Sequence, residues 1–210
     1  MADKRQIRQS IKKLQRVKTW QLVLILILII FVNATLLRLN NVGMVERRKA
    51  VISADEIGDD RVTQDRLYDL QKYVTSHMNT DMGKGMYLIG ARKRDAAAIY
   101  ASASNDSNPN GNIYKKAQEV CAPQFSSYSS AYLQCTMNEL SKYPASSDLI
   151  SQINLPSAEA YLRVYASPVW SPDFAGWSLV VSVVILIMII VRITSVIILR
   201  IMLKKHYSSI

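Results

Sequence analysis

Two histidines and two cysteines are all the imidazole and thiol that this 210-residue chain contains. A structural zinc site needs about four nitrogen, sulfur or carboxylate ligands in convergent spacing. Cys121 and Cys135 do not form a C-x-x-C pair, and no histidine lies near either. His206 sits beside Lys204 and Lys205, and His77 next to Met78; a lone helical histidine is more often a packing or surface residue than a ligand. Glycine is also scarce, at seven. No phosphate-cradling glycine loop occurs, Gly83-x-Gly85 reads as a turn signal, and Gly-x-Ser-x-Gly is absent, so a Ser-His-Asp set using His77 has no motif behind it. The acidic groups Asp55-Glu56 and Asp59-Asp60 lack the spacing of a calcium loop and read as helix-capping charge. The expectation is a non-enzyme without metal or cofactor.

The formal net charge of +10 is unevenly spread. Residues 1–20 carry seven basic side chains and one acid, and residues 174–210 carry four basic side chains and no acid. Between them, residues 38–172 hold fifteen basic and fourteen acidic side chains. A nucleic-acid binder working through its largest segment needs a basic face there to displace counterions, so nucleic acid is excluded as the expected partner.

What the chain has in quantity is uncharged apolar sequence. Residues 19–37 carry no charge, with an unbroken apolar run at 22–32, and 174–191 are uncharged as well. Eighteen helical residues extend about 27 Å, close to the roughly 30 Å hydrocarbon core of a bilayer. A backbone crossing lipid satisfies its own hydrogen bonds, so both runs read as transmembrane helices, over 20–37 and 173–192. Gln21, Asn33 and Thr35 fall near the ends of the first. Two spans without internal charge enclose no polar path, which argues against a channel or transporter.

Excess Lys and Arg mark the cytoplasmic side. Lys12, Lys13, Arg16 and Lys18 precede the first span, and Arg192, Arg200, Lys204 and Lys205 follow the second. Both termini are therefore expected inside a plasma (inner) membrane, with 38–172 outside. Trp170 and Trp177 fall where an outer aromatic belt belongs, and Trp20 at the inner entry. A cleavable signal peptide cut after Ala34 is the alternative for the first run; against it, Leu36, Leu39, Val42 and Val45 continue at helical spacing. Ile7, Ile11, Leu14 and Val17 recur at helical spacing in 1–19, a basic amphipathic segment suited to an anionic inner leaflet at about 1 kcal/mol per basic residue. The bland reading is a topology signal alone. Residues 193–210 read as an interfacial helix and tail. Neither end is long enough for a kinase, phosphatase, nucleotide-binding or DNA-binding module.

The region 38–172 reads as one mostly helical extracytoplasmic domain with a small β element. Helical spacing continues from Leu36 to about Ile57, interrupted by Glu46, Arg47, Arg48 and Lys49. Leu67, Leu70, Val74 and Met78 predict a second helix over 60–79, and 95–104 a third. The apolar stretch 86–89 between glycines predicts a strand, as does 161–165. Residues 104–112 form a polar loop, the longest flexible stretch, with a glycosylation sequon at Asn105-Asp106-Ser107. Ile113, Ala117 and Val120, then Leu133, Met137 and Leu140, mark two short helices around Pro123. Cys121 and Cys135 fall on this pair. An even count in an oxidising compartment suggests a disulfide clamping the hairpin.

Three stretches carry a family resemblance: Leu37-Arg38-Leu39-Asn40-Asn41-Val42-Gly43-Met44, Met78-Asn79-Thr80-Asp81-Met82-Gly83-Lys84-Gly85, and Ala166-Ser167-Pro168-Val169-Trp170-Ser171-Pro172-Asp173. Together they resemble uncharacterised two-span envelope proteins of small-genome bacteria. The resemblance implies a bacterial plasma-membrane protein and transfers no activity. The plan of span, helices, outer domain and span is also similar to bacterial sensor ectodomains, without their cytoplasmic output module.

The leading expectation is a non-catalytic subunit or scaffold of an envelope assembly, docking through its outer domain. Its partners would be other envelope membrane proteins or a second copy. Asn105 and Asn110, in the loop tip, are the candidate contact residues. Gly176, Ser178 and Ser182 form a small-residue stripe for helix packing. The rival is a receptor that signals through a separate partner, with a pocket lined by tyrosines and Arg163. Tyr161, Arg163 and Tyr165 would share one strand face, although aromatic strand residues usually pack.

Overall fold

The computed structural model describes residues 18–208 apart from 145 and 154. Lys12, Lys13, Arg16 and the amphipathic spacing of 1–17 lie outside the described residues, as do the side chains of Lys205 and His206. Among the described residues there are seven α-helices, one 3-10 turn and a two-stranded sheet.

The first helix, α1, runs unbroken over Thr19–Ile57, so Ala34 lies inside a continuous element. Its 39 residues extend about 58 Å, far more than a bilayer core requires. It stops at Gly58, whose φ of +90° suits glycine and whose N–H still reaches the Ala54 carbonyl at 3.1 Å. Asp59 then opens α2, Asp60–Ser76, its carboxylate accepting from the Val62 N–H at 3.0 Å. The turn that follows puts Asn79 at φ +61°, so α2 ends three residues short of the helix expected to 79.

The remaining elements are β1 (Met86–Tyr87), α3 (Ile89–Ala103), α4 (Gly111–Cys121), α5 (Ser130–Leu140), α6 (Ser146–Ser151), a 3-10 turn (Ala158–Tyr161), β2 (Leu162–Arg163) and α7 (Phe174–Ser208). The strands pair antiparallel, Met86 with Arg163 and Tyr87 with Leu162. Both expected strands are therefore cut to two residues. Helix α3 claims Ile89, and the 3-10 turn claims Tyr161, leaving Tyr165 outside the ladder. Helix α3 also starts six residues before the expected 95, because its first N–H groups find an acceptor in Asp55. The Asp55 carboxylate takes the Gly90 and Ala91 N–H groups, both at 2.7 Å.

Two compact units divide the chain. One comprises the described residues up to Gly43, Val74–Asp81 and Ser167 onward; the other comprises Met44–Tyr73 and Met82–Ala166. The stretch 38–172 is thus shared between them. The second unit has a core of α3, α4, α5 and α6 side chains, among them Tyr100, Tyr114, Leu133, Leu140 and Leu149, with Ile153 just past α6. Its tyrosines bury their rings and keep their hydroxyls bonded, Tyr100 to Thr136 Oγ1 at 2.5 Å and Tyr114 to the Leu149 carbonyl at 2.8 Å. The disulfide Cys121–Cys135 joins α4 to α5 with Cα atoms 6.0 Å apart. Arg47 and Arg48, whose charges interrupt the apolar spacing, serve packing here. Arg47 stacks 3.8 Å above the Tyr73 ring and reaches Asp69 at 3.2 Å, and Arg48 donates to the Gly85 carbonyl at 2.8 Å.

In the first unit, two helices are long and apolar enough to cross a membrane, α1 and the Phe174–Met202 part of α7. Only 6% and 11% of their most apolar windows are buried, unlike the core helix of a soluble globule, which is mostly covered. The covered positions recur at three-four spacing. On α7 they are Ala175, Ser178, Ser182, Ile185 and Ile189, and on α1 Leu22, Leu26, Ile29, Asn33 and Leu36 are the less exposed residues. Such stripes are what two helices lying side by side produce. Helix α7 passes Arg192 without a break, so 193–208 continues the second apolar helix.

Candidate functional site

Within the first unit, a clasp of side-chain amides ties three distant segments together. The Asn40 amide donates to Asp173 Oδ2 at 2.7 Å and to the Met78 carbonyl at 3.3 Å. Asn79 donates to the Leu37 carbonyl at 3.0 Å, and Asn41 to the Asn79 carbonyl at 3.4 Å. The Met78 N–H is held by Ser171 Oγ at 2.9 Å, in a buried position. Thr80 closes the turn through the Val74 and His77 carbonyls, at 3.1 and 2.6 Å. These residues come from 37–44, 78–85 and 166–173, three stretches far apart in the chain that one knot brings together. His77 bonds its neighbour Ser76 at 2.9 Å.

Next to the clasp, Asp173 also caps α7, accepting from the Gly176 N–H at 2.8 Å. Gly176 is buried, and a Cβ there would lie 1.8 Å from the Ser171 carbonyl oxygen. Its smallness serves the chain's own turn. Ser178 and Ser182 turn their hydroxyls to the Ala175 and Ser178 carbonyls, each at 2.8 Å. Both are half-buried on the stripe that α7 keeps covered. Trp170 and Trp177 meet edge to face with centroids 6.0 Å apart. Trp20 and Lys18 are exposed at the start of α1, Arg192 is half-buried, and Arg200 and Lys204 are exposed.

The second unit contains a cleft of about 450 Å³. One wall is Tyr87, Leu88 and Ile89, running into Arg92 and Lys93 on the first turns of α3. The other is the turn Tyr128-Ser129-Ser130 that opens α5, with Ala158 and Tyr161 at the base. Most of the lining is apolar or aromatic, and it contains two cations and no acid. Tyr161 is held by its hydroxyl, which donates to Asp95 Oδ2 at 2.7 Å. Burial, reinforced by that carboxylate, pushes its phenol up to about 12. It is a fixed hydrogen-bonded wall.

Of the three residues expected on one strand face, the structure brings only Tyr161 to the cleft. The Arg163 guanidinium folds onto the Ala160 and Leu162 carbonyls at 2.8 and 3.1 Å. Tyr165 is half-buried and does not line the cleft. Asn105 and Asn110 lie in a run of turns: Asn105 Oδ1 accepts from the Ser107 N–H at 3.3 Å, and the Asn110 N–H donates to Asn108 Oδ1 at 3.1 Å. Asn108 itself reaches the Ala103 carbonyl at 2.8 Å, so the polar loop is bonded throughout and Asn105 alone of the pair is fully exposed. Sequence reasoning missed Tyr87, Arg92, Lys93 and Tyr128. One signal was present: Arg92, Lys93 and Arg94 follow Ile89-Gly90-Ala91 at the start of α3, whose first turn contains no acid of its own, the reverse of what a helix dipole favours.

No protein-family model, no curated protein and no solved structure matches this chain. Among the described residues, no group of three or more His, Cys, Asp or Glu is placed to hold a metal ion.

Proposed function

We propose that the protein is a two-span membrane protein of the bacterial cell envelope, acting as a scaffold subunit. Both termini lie in the cytoplasm and the disulfide-linked unit lies outside. The basic flanks at Lys18, Arg200 and Lys204 face an anionic inner leaflet. Three features support this placement: the uncovered apolar faces of α1 and α7, the paired Trp170 and Trp177 at the head of α7, and a disulfide suited to an oxidising compartment.

The observation that carries the scaffold reading is the clasp. A receptor that works by sliding one span against the other needs the end of one helix free to move along the other. Here Asn40 on α1 is bonded to Asp173, the residue that caps α7, at 2.7 Å. A charge-assisted hydrogen bond contributes about 1.5–3 kcal/mol, and the neighbouring amide bonds add to it. A hairpin closed in this way is a static anchor. It presents its outer unit for docking and its lipid-facing helices to other envelope proteins or to a second copy.

Purification of the full-length protein from its native membrane in mild detergent tests the reading. The expected result is a stoichiometric set of other membrane proteins, or a homo-oligomer. A clean monomer contradicts it. The cleft of the second unit favours a second reading, in which the outer unit binds a ligand and a separate partner reports it.

A further inference from the structure

The cleft between the first turns of α3 and the turn opening α5 has three properties that together point to one ligand chemistry. The first is a pair of cations with no ion-pair partner. Among the three consecutive cations of α3, Arg94 is engaged by the Asp55 carbonyl at 2.7 Å and by Asp60 at 2.8 Å. Arg92 and Lys93 form no ion pair among the described residues. Asp55 already caps the first N–H groups of α3, so the attraction for an anion comes from these two side chains. An anion between them would relieve their mutual repulsion.

The second property is the apolar body of the cleft. Tyr87, Ile89 and Tyr128 offer ring and alkyl surface, and Tyr87 and Ile89 are 51% and 61% exposed. At about 450 Å³ the cleft lies within the roughly 300–1,000 Å³ range of small-molecule sites. The third is strain. Tyr128 has φ +56°, a left-handed conformation that is costly for a bulky residue and natural for glycine. The Ser129 N–H closes this turn on the Ser126 carbonyl at 3.1 Å. A residue chosen for the turn alone would be Gly or Asn. The ring in this strained position packs against Tyr100 and Tyr132, with centroids 6.2 and 5.5 Å apart, and also lines the cleft.

We propose that this cleft binds a small organic acid with a flat apolar body, its anionic group between Arg92 and Lys93 and its body against Tyr87, Ile89 and Tyr128. The site stands independently of the scaffold reading, because it requires only the second unit's own walls. An anionic lipid shares this chemistry, a charged head on an apolar body. The cleft's modest volume favours a free solute over an acyl chain.

The test uses the full-length protein in phosphatidylcholine nanodiscs, with 6-fluoro-2-naphthoate as the probe and fluorine NMR as the readout against empty discs. Saturable binding is expected. The neutral analogue (6-fluoro-2-naphthyl)methanol should bind about tenfold more weakly, as should 6-fluoro-2-naphthoate to the Arg92→Ala/Lys93→Ala protein. Tyr87→Ala removes a ring that lines the cleft and is half-exposed, so binding should fall while the thermal midpoint does not. No signal above empty discs overturns the proposal, and so does equal binding of acid and alcohol, a comparison that needs no variant. Repeating the titration in phosphatidylglycerol discs separates the sources. Unchanged affinity supports a free acid, whereas abolished binding gives the cleft to a lipid and overturns the assignment. Loss of probe binding leaves the co-purification result untouched, so the two readings fail separately.

Discussion

At the scale of single residues, Gly90 and Gly83 illustrate two different reasons for glycine. A Cβ on Gly90 would lie 2.2 Å from the Asp55 carbonyl oxygen and 2.8 Å from its carbon, both rigid backbone atoms. The same residue donates its N–H to the Asp55 carboxylate at 2.7 Å, so Gly90→Ala would force α1 and α3 apart and weaken that cap. Gly83 has open space around it but a φ of +59°. Gly83→Ala should therefore cost only about 1 kcal/mol, from backbone strain, and Gly90→Ala about 3 kcal/mol, from overpacking and a lost cap. Chemical denaturation of the two purified variants checks the order; equal losses would contradict it. The Asp55-Glu56 and Asp59-Asp60 groups were legible as capping charge. That Asp55 caps a helix beginning 34 positions later was not, because helix caps are ordinarily sought in the adjacent residues. The cleft was hidden for the same reason, its walls coming from three separated segments.

At the scale of elements, the α4–α5 hairpin is held by its disulfide and by buried tyrosines. Closing a loop of about fifteen residues restrains the unfolded chain by roughly 3 kcal/mol. The paired change Cys121→Ala and Cys135→Ala should lower unfolding stability by about that amount in a denaturant titration; an unaltered midpoint would show the link to be dispensable. Burial pushes the phenols of Tyr100, Tyr114 and Tyr132 above their ordinary value of 10.0, and that of Tyr161 to about 12. Above pH 10 the unfolded chain gives up protons that the folded unit keeps. The stabilisation is therefore fully present below pH 10 and is lost as pH rises through the raised values. Circular dichroism followed with tyrosinate absorbance should show the fold failing as these groups ionise. Four tyrosines titrating near 10 in an intact fold would contradict it. Helices here were readable because 3.6-residue spacing survives over many turns. The strands were not, since a ladder of two residues leaves no alternation to read.

At the scale of the whole molecule, composition located the two apolar helices, and the structure leaves them mostly uncovered, as a lipid-facing pair would be. Sequence could not show that α1 and α7 are tied at one end by Asn40, Asn79, Ser171 and Asp173, since each bond joins segments far apart in the chain. The small stripe at Ser178 and Ser182 was visible, but that both positions are half-buried within the chain's own fold was not. The central claim is topological: both ends on one side of a membrane, the disulfide-linked unit on the other. Cysteine labelling in intact bacterial cells with a membrane-impermeant maleimide tests it most directly, since the native pair is already bonded. Tyr68→Cys, at an exposed position in the second unit, should be labelled in intact cells, and Lys18→Cys and Lys204→Cys only after permeabilisation. Labelling of Lys18→Cys or Lys204→Cys from outside, or protection of Tyr68→Cys, would contradict the account.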